Sequence, residues 1–272
     1  MLFPLMASGV QQRSVTRAGA QSADWVAVEE PLEIRVATEP VAVTMRTPGE
    51  DAQLALGFLF AEGVIRSTDD VGSVAHCGRL GEEGYGNAID ITAAPGVVLN
   101  IESSRRGTLT TAACGVCGRK SIDDLLARCR PLPLDQTIST QLLARSTEQL
   151  GTIQKNFAQT GGVHAAAALD AEGKVLVAFE DIGRHNAVDK VVGALLLRKL
   201  IGAPALLVVS GRASFEIVQK AAMARIPAVA CVSAASTLAI DLAEKVGITL
   251  ATFVRDGTFN VYTGRSRLRK SD

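Results

Sequence analysis

The chain has 272 residues, of which 47% are hydrophobic, and its 28 Lys and Arg residues are balanced by 28 Asp and Glu residues. This length accommodates one large core, or one core with a small satellite domain. The neutral charge and the 4% aromatic content argue against a nucleic-acid or anionic-membrane partner. We also see no apolar run of the ~18 residues that a transmembrane helix needs.

The compartment is inferred from the N-terminal residues. Residues 1–6 are apolar, but they are too short for a signal-peptide core and carry no basic leader. We therefore expect a cytoplasmic protein, in which thiols stay reduced. Its five cysteines are then free thiols, metal ligands or redox groups rather than a disulfide scaffold.

The first part of the chain is predicted to be β-rich. Alternating apolar residues predict two strands within 32–47, and Pro48-Gly49 ends the second of them. An apolar stripe then predicts a helix. The expected units are a disordered tail over 1–22 and a small β-rich region over 23–105, with the helix at 51–62 and further strands at 88–91 and 97–101.

The last part alternates between apolar strands and amphipathic helices. This order predicts βαβ units and a buried, largely parallel sheet, so the fold class is α/β with a core domain over 121–272. We predict a mobile loop over 106–120 between the two regions. The predicted strands are 163–169, 175–179, 206–209, 228–232 and 249–254, and the predicted helices are 121–128, 139–156, 186–200, 214–225 and 237–246.

Two cysteines in the loop form a Cys-x-x-Cys pair, Cys114 and Cys117, with glycines at 115 and 118. Two thiols at this spacing can meet at one sulfur atom or one metal ion. A structural zinc site needs four ligands. Besides the cysteine pair, only the adjacent residues His76 and Cys77 could supply the other two. A thioredoxin-like pair opens a helix after a strand, which this segment does not resemble. A sulfur relay through a persulfide is the third alternative, and spacing by itself does not choose among them.

Polar residues follow three of the predicted core strands, at 180–190, 210–214 and 253–258. Open α/β sheets bind ligands outside the carboxyl ends of their strands, and a helix N-terminus favours an anion. Arg184, His185, Arg212 and Arg255 could serve as donors, while Asn186 could cap the following helix. If the sheet is parallel, the three strand ends converge, which suggests a nucleotide-like ligand.

Five segments carry a family resemblance. In chain order they are EPVAVTMRTPGEDAQLALGFLFAEGVI (39–65), TTAACGVCG (110–118), FEDIGRHNAVDKVVG (179–193), SGRASFEIVQKAAMARIP (210–227) and FVRDGT (253–258). Together they resemble the formate dehydrogenase accessory sulfurtransferases. The resemblance implies a cytidine-deaminase-like core and a homodimer. It also implies a persulfide relay that takes sulfur from a cysteine desulfurase and passes it to the bis-guanine-dinucleotide molybdenum cofactor of the formate dehydrogenase catalytic subunit.

The resemblance also assigns site residues. Cys114 matches the persulfide cysteine of the family and Cys117 its neighbour. The cofactor-contacting stretch of the family matches Phe253, Val254, Arg255, Asp256, Gly257 and Thr258.

Two other classes of function are weighed against this one. A zinc deaminase uses His-x-Glu and Pro-Cys-x-x-Cys, but His164 is followed by two alanines and the pair lacks the preceding proline. We therefore expect no permanent metal. A non-catalytic chaperone that only binds the cofactor remains the alternative.

Overall fold

The computed structural model describes residues 9–78, 85–101, 129–133 and 135–270. Within these ranges no helix combines the length and the apolar composition of a membrane span. The chain forms a mixed α/β structure with a four-stranded and a six-stranded sheet, a two-stranded hairpin and one short two-stranded pairing.

The described part begins with a β-hairpin, β1 (Val10–Arg17) and β2 (Ala20–Ala27). The prediction of a disordered tail over 1–22 is therefore wrong for residues 10–22. Ala18 and Gly19 both adopt positive φ, 51° and 85°, and this backbone closes a tight two-residue hairpin turn. Most side chains of the hairpin are exposed, so its polar composition resembled that of an unstructured segment.

A four-stranded sheet with order β4-β3-β6-β5 follows. The predicted strand at 97–101 is absent from it, since these residues have no strand structure and Val98 is 92% exposed. The elements here are β3 (Glu30–Val36), β4 (Glu39–Arg46), α1 (Asp51–Ala61), a 3₁₀ turn (Thr68–Asp70), β5 (Val71–His76) and β6 (Ala88–Ala93).

The helix predicted over 139–156 is three short helices instead. They follow a two-residue strand, β7 (Ile138–Ser139), and are α2 (Thr140–Arg145), α3 (Glu148–Ile153) and α4 (Lys155–Thr160). Gln154 breaks the run with φ −80° and ψ 63°. The Glu180 carboxylate then accepts hydrogen bonds from the backbone N–H groups of Asn156 and Phe157 at 2.8 Å. A contact distant in sequence thus satisfies donors that a continuous helix would use internally.

The six-stranded sheet has the order β13-β12-β11-β10-β8-β9. Its strands are β8 (His164–Leu169), β9 (Val175–Asp181), β10 (Leu206–Val209), β11 (Ala228–Cys231), β12 (Thr249–Arg255) and β13 (Thr258–Thr263). Three helices alternate with them: α5 (Arg184–Leu197), α6 (Phe215–Met223) and α7 (Thr237–Val246). The chain closes with a 3₁₀ turn (Arg265–Arg267) and β14 (Leu268–Arg269).

The core sheet is mixed, so the prediction of a largely parallel sheet is wrong. β10 pairs in parallel with β11, and β11 with β12. The pairings β8–β9, β8–β10 and β12–β13 are antiparallel. Short turns at 170–174 and 256–257 make β8–β9 and β12–β13 antiparallel, because a connection of a few residues can join antiparallel strands only. The β8–β10 pairing is antiparallel because β8 lies between β9 and β10, which point the same way. A cytidine-deaminase-like core stays a prediction.

Apolar side chains fill both faces of this sheet. Alternate residues of β10 belong to different clusters, Leu207 and Val209 to one and Leu206 and Val208 to the other. The first cluster also contains Leu32 and Ile34 of the four-stranded sheet. The two regions predicted as separate units therefore share a hydrophobic core.

Buried polar contacts also join the two regions. Lys190 Nζ lies 2.9 Å from Asp181 Oδ2 and donates to the Thr47 carbonyl at 2.9 Å. Asn186 Nδ2 donates to the carbonyl of Met45 at 2.7 Å. The side chains of Lys190 and Asp181 are 1% and 0% exposed, so this pair lies in the interior of the shared core.

Candidate functional site

Four strands of the core sheet end at one edge. β10, β11 and β12 are mutually parallel. β9 points the same way, because the intervening β8 is antiparallel to both β9 and β10. The carboxyl ends at Asp181, Val209, Cys231 and Arg255 therefore lie along this edge. The predicted convergence of the three polar segments is confirmed, although the sheet as a whole is mixed.

Asp181 serves the structure of this edge rather than an open site. Its carboxylate accepts hydrogen bonds from the backbone N–H groups of Thr47 and Gly183 and from the Asn186 side chain, besides pairing with Lys190. Burial raises the pKa of Asp181, and the charge of Lys190 opposes that rise. Gly183 occupies the N-cap of α5, so the prediction that Asn186 caps this helix is wrong. Asn186 lies inside the helix, and its side chain forms hydrogen bonds with Thr44 and Met45 of β4.

The segment between β10 and α6 contacts His164, which begins β8 at the same edge of the sheet. Ser210 Oγ accepts a hydrogen bond from the Ala165 N–H at 2.9 Å and lies 3.3 Å from His164 Nδ1. Burial lowers the pKa of His164, and the positive charge of Arg184 adds to this effect. A Cβ on Gly211 would lie 3.2 Å from Arg184 Cδ and 3.5 Å from His164 Nδ1. The glycine therefore lets the backbone approach both side chains closely.

His185 joins the first turns of two helices. Its Nε2 atom lies 2.9 Å from Ser214 Oγ, and its Nδ1 atom lies 3.2 Å from Glu216 Oε2. The side chains of His185 and Glu216 are 12% and 7% exposed. Sequence reasoning selected His185 but missed Glu216, because a glutamate in the first turn of a helix is ordinary complementation of the helix dipole.

Two arginines give the edge positive charge. Burial lowers the pKa of Arg184, and the nearby charge of Arg212 lowers it further. The Nε–H of Arg184 is buried without a hydrogen-bond partner among the described residues, whereas Arg212 is exposed. A bound anion would relieve the repulsion between the two guanidinium groups and satisfy the buried donor.

The predicted cofactor-contacting stretch, 253–258, is the hairpin that joins β12 to β13. Asp256 and Gly257 have φ values of 51° and 72°, as a two-residue hairpin turn requires. Arg255 pairs with Thr258, whose hydroxyl donates to the Arg255 carbonyl at 3.0 Å. Phe253 is 36% exposed with φ 50°, while Val254 is fully buried. The hairpin therefore presents alternate residues at the end of the sheet.

Backbone contacts connect this hairpin with the histidines through the segment after β11. The Phe253 N–H donates to the Ser233 carbonyl at 3.3 Å, and the Ala213 N–H donates to the Ala234 carbonyl at 3.0 Å. The order along the edge is therefore β9, the 210–214 segment, the 233–236 segment and the 253–258 hairpin. The three predicted segments form a continuous edge.

A protein-family model with the description FdhD/NarQ family matches this chain over residues 27–269. The chain belongs to the FdhD/NarQ family. The matched range contains the Cys-x-x-Cys segment and all of the core sheet.

Curated FdhD/NarQ relatives are similar over nearly the full length. A protein of Anaeromyxobacter dehalogenans strain 2CP-C is 54% identical, covering 96% of this chain and 94% of the relative. A protein of Mycolicibacterium paratuberculosis is 46% identical, covering 94% and 98%. Both are named "Sulfur carrier protein FdhD". The resemblance stated from the sequence motifs is thus confirmed at the level of the family.

A solved structure supports the FdhD/NarQ fold. A crystal structure from Desulfotalea psychrophila, provisionally described as a formate dehydrogenase accessory protein, superposes with a TM-score of 0.73. The match covers 96% of this chain and 98% of that one at 24% identity. At this identity the likeness establishes the shared fold.

The predicted sulfur-bearing residues, Cys114 and Cys117, lie outside the described residues, as does the predicted loop over 106–120. The other cysteines are described. Cys129 and Cys231 are buried and Cys77 is half-buried, and burial raises the pKa of Cys231 to about 12. Within the described ranges no cluster of three or more His, Cys, Asp or Glu side chains could hold a metal ion.

Proposed function

We propose that this FdhD/NarQ protein is a cytoplasmic sulfurtransferase that carries sulfur as a persulfide on Cys114. It accepts the sulfur from a cysteine desulfurase and delivers it to the bis-guanine-dinucleotide molybdenum cofactor, which the formate dehydrogenase catalytic subunit then receives. The cofactor is a bound substrate, and the carrier acts as a homodimer. The observation that carries this proposal is the family match over 27–269, which includes the Cys-x-x-Cys pair.

Loading is a thiol exchange at sulfur. The Cys114 thiolate attacks the terminal sulfur of the desulfurase persulfide, and the desulfurase cysteine leaves as a thiolate. The new S–S bond of Cys114 replaces the one that breaks, so no oxidant or reductant is consumed. Among the three readings of the cysteine pair, this relay agrees best with relatives named sulfur carriers.

The polar edge of the core sheet supports the acceptor half of the proposal. A bis-guanine-dinucleotide cofactor carries two pyrophosphates, and the edge offers Arg184, Arg212 and Arg255 as donors. The buried Nε–H of Arg184 is suited to an anion, since hydrogen bonds between a guanidinium and a phosphate are charge-assisted and strong. We assign the cofactor-binding role to Phe253, Val254, Arg255, Asp256, Gly257 and Thr258.

Intact-mass spectrometry tests the carrier step. The protein is incubated with a cysteine desulfurase and cysteine, then analysed with and without a reducing thiol. We expect one added sulfur atom per chain, removed by reduction and absent from Cys114→Ala. Cys77→Ala is the matched control, since it removes a thiol outside the pair and should load normally. Equal loading of Cys114→Ala would contradict the proposal.

An assay of formate dehydrogenase maturation distinguishes a protein that transfers sulfur from one that only binds the cofactor. A non-catalytic chaperone would support maturation without Cys114, whereas a relay requires it. We expect Cys114→Ala to abolish maturation while unfolding stability changes by no more than ~0.5 kcal/mol. Full maturation by this variant would favour the chaperone. Cys117→Ala tests whether the second thiol takes part.

A further inference from the structure

The contacts of His185 have the order of a serine–histidine–acid relay. One ring nitrogen, Nε2, faces the Ser214 hydroxyl at 2.9 Å, and the other, Nδ1, faces the Glu216 carboxylate at 3.2 Å. A neutral ring that carries its proton on Nδ1 directs it toward the Glu216 carboxylate 3.2 Å away. Nε2 is then an acceptor for the Ser214 hydroxyl proton, which is the arrangement that activates a serine nucleophile.

The position of Ser214 gives a second, independent observation. Ser214 and Ser236 are the N-cap residues of α6 and α7, and each ends a short segment that follows a core strand. Ser236 caps its helix, since its side chain accepts a hydrogen bond from the Ala239 N–H. Ser214 makes no capping hydrogen bond. Its hydroxyl instead faces His185, so the usual role of an N-cap serine is given up for this contact.

The N-terminus of α6 also supplies hydrogen-bond donors that could form an oxyanion hole. The first N–H groups of a helix have no partners within the helix, and they point outward from the N-terminus beside Ser214. Such donors stabilise the oxyanion that forms when a hydroxyl attacks a carbonyl carbon. Ser214 is half-buried and the His185 side chain is 12% exposed, so neither residue is completely buried.

Neighbouring charges define the class of substrate. Arg184 precedes His185 directly, and Arg212 lies two residues before Ser214. The charge of Arg184 interacts with those of Arg212 and Glu216, so two guanidinium groups lie near the relay. A substrate with a carboxylate or phosphate group near its reactive carbonyl would match both features.

We propose that Ser214, His185 and Glu216 form an acyl-transfer site for esters and thioesters that carry an anionic group. Ser214 Oγ attacks the carbonyl carbon while its proton passes to His185 Nε2. The C–O or C–S bond to the leaving group then breaks, and the leaving group takes that proton. Water attacks the acyl-serine through the same base, which releases the acid and restores Ser214. Glu216 is a positioning residue that holds the ring.

This activity goes beyond the proposed function and uses different atoms from Cys114. Failure of one does not imply failure of the other, because sulfur loading and acyl transfer are measured separately. In particular, Ser214→Ala should load sulfur on Cys114 like the unaltered chain.

An alkyl fluorophosphonate, which labels activated serine hydroxyls, tests the proposal on the full chain. We expect one adduct per chain, mapped by peptide mass spectrometry to Ser214. Ser214→Ala should lose the adduct, and His185→Gln should slow labelling at least about 100-fold, the scale of a general base. Ser210→Ala is the matched control, since Ser210 lies in the same segment and contacts the other histidine. Its labelling should be unchanged.

Three outcomes would overturn the proposal: no adduct on the folded chain, an adduct that persists in Ser214→Ala, or full reactivity of His185→Gln. Circular dichroism of each variant establishes that it is folded. Should His185→Gln fail to fold, Glu216→Gln provides the second test. Because a carboxylate stabilises the imidazolium, the pH of half-maximal labelling should fall in Glu216→Gln. An unchanged pH profile would contradict the positioning role of Glu216.

Substrate preference is measured with two chromogenic esters, mono-p-nitrophenyl succinate and p-nitrophenyl acetate. We expect faster hydrolysis of the anionic ester, and Arg184→Gln should remove that preference without removing the Ser214 adduct. Equal rates for the two esters with the unaltered chain would overturn the anionic substrate class.

Discussion

Gly57 of α1 and Gly193 of α5 bring the backbones of these two helices into direct contact. A Cβ on Gly57 would overlap the Asp189 carbonyl, and a Cβ on Gly193 would overlap the Gln53 carbonyl. The absence of both side chains therefore sets the separation of α1 from α5. Since α5 begins with Arg184 and His185, this contact also positions the functional edge.

Gly193→Ala should destabilise the protein because the new methyl group has no room beside the backbone of α1. We expect the free energy of unfolding to fall by about 1–3 kcal/mol, the scale of core overpacking, measured by urea denaturation. Gly151→Ala is the control, since a Cβ there meets no atom within 4 Å and alanine favours a helix. Equal effects of the two substitutions would contradict the packing argument.

Lys190→Met should leave the Asp181 carboxylate buried without its counter-ion. Breaking one partner of a buried ion pair typically costs about 3–5 kcal/mol, so a loss of this size is expected in the unfolding free energy. The exposed pair Arg17–Asp24, at 3.2 Å with side chains 71% and 46% exposed, is the control. Arg17→Ala should change stability little, because exposed pairs contribute little.

The pH dependence of stability should contain a contribution from Asp189. Burial raises the pKa of Asp189 to about 6, although the adjacent Lys220, at 2.6 Å, opposes the rise. The folded state then binds this proton more tightly than the unfolded state, whose carboxyl has a pKa of about 3.9. The stabilisation is complete below pH ~4 and is lost as the pH rises to ~6.

Comparison with Asp189→Asn isolates this contribution. The unfolding free energy of the unaltered chain minus that of the variant should decrease by about 1–3 kcal/mol between pH 4 and pH 6, then stay level. Urea denaturation across this range measures it. A difference that stays constant, or grows with pH, would contradict the assignment.

Arg255→Ala tests the proposed cofactor contact at the 253–258 hairpin. If this exposed guanidinium binds a phosphate, the variant should bind GDP about 1.5–3 kcal/mol more weakly, as for a hydrogen bond to a charged group. Isothermal titration calorimetry measures this, with Arg17→Ala as the exposed-arginine control. Sulfur loading on Cys114 should be unaffected. Failure of the unaltered chain to bind GDP would contradict the nucleotide site, and binding indifferent to Arg255 would contradict only this residue assignment.

The amino-acid sequence predicted most elements of the core. The strand at 206–209 and the helix at 237–246 have the predicted bounds, and β8, β9, β11 and β12 lie within a few residues of theirs. These segments are apolar runs or amphipathic stripes, and burial of those patterns decides the local structure. The five motifs together likewise indicated the family, which the comparisons confirm.

Other features depended on contacts distant in sequence. The hairpin at 10–27 presents few buried side chains, so no hydrophobic alternation marked it. The break at Gln154 is accompanied by hydrogen bonds from the next helix to Glu180, more than 20 residues away. Local patterns carry no information about such partners.

Strand ends and helix starts are local patterns, so the amino-acid sequence was enough to place Arg184, His185 and the 210–214 segment at strand ends. Which of these side chains face each other depends on how distant elements pack together. Asp181, Asn186 and Lys190 turn into the shared core, while His185 contacts Ser214 and Glu216, about 30 residues further along the chain. The physical reason is that helix packing, here set by Gly57 and Gly193, fixes the rotation of α5, and this rotation assigns each polar side chain to the interior or to the edge.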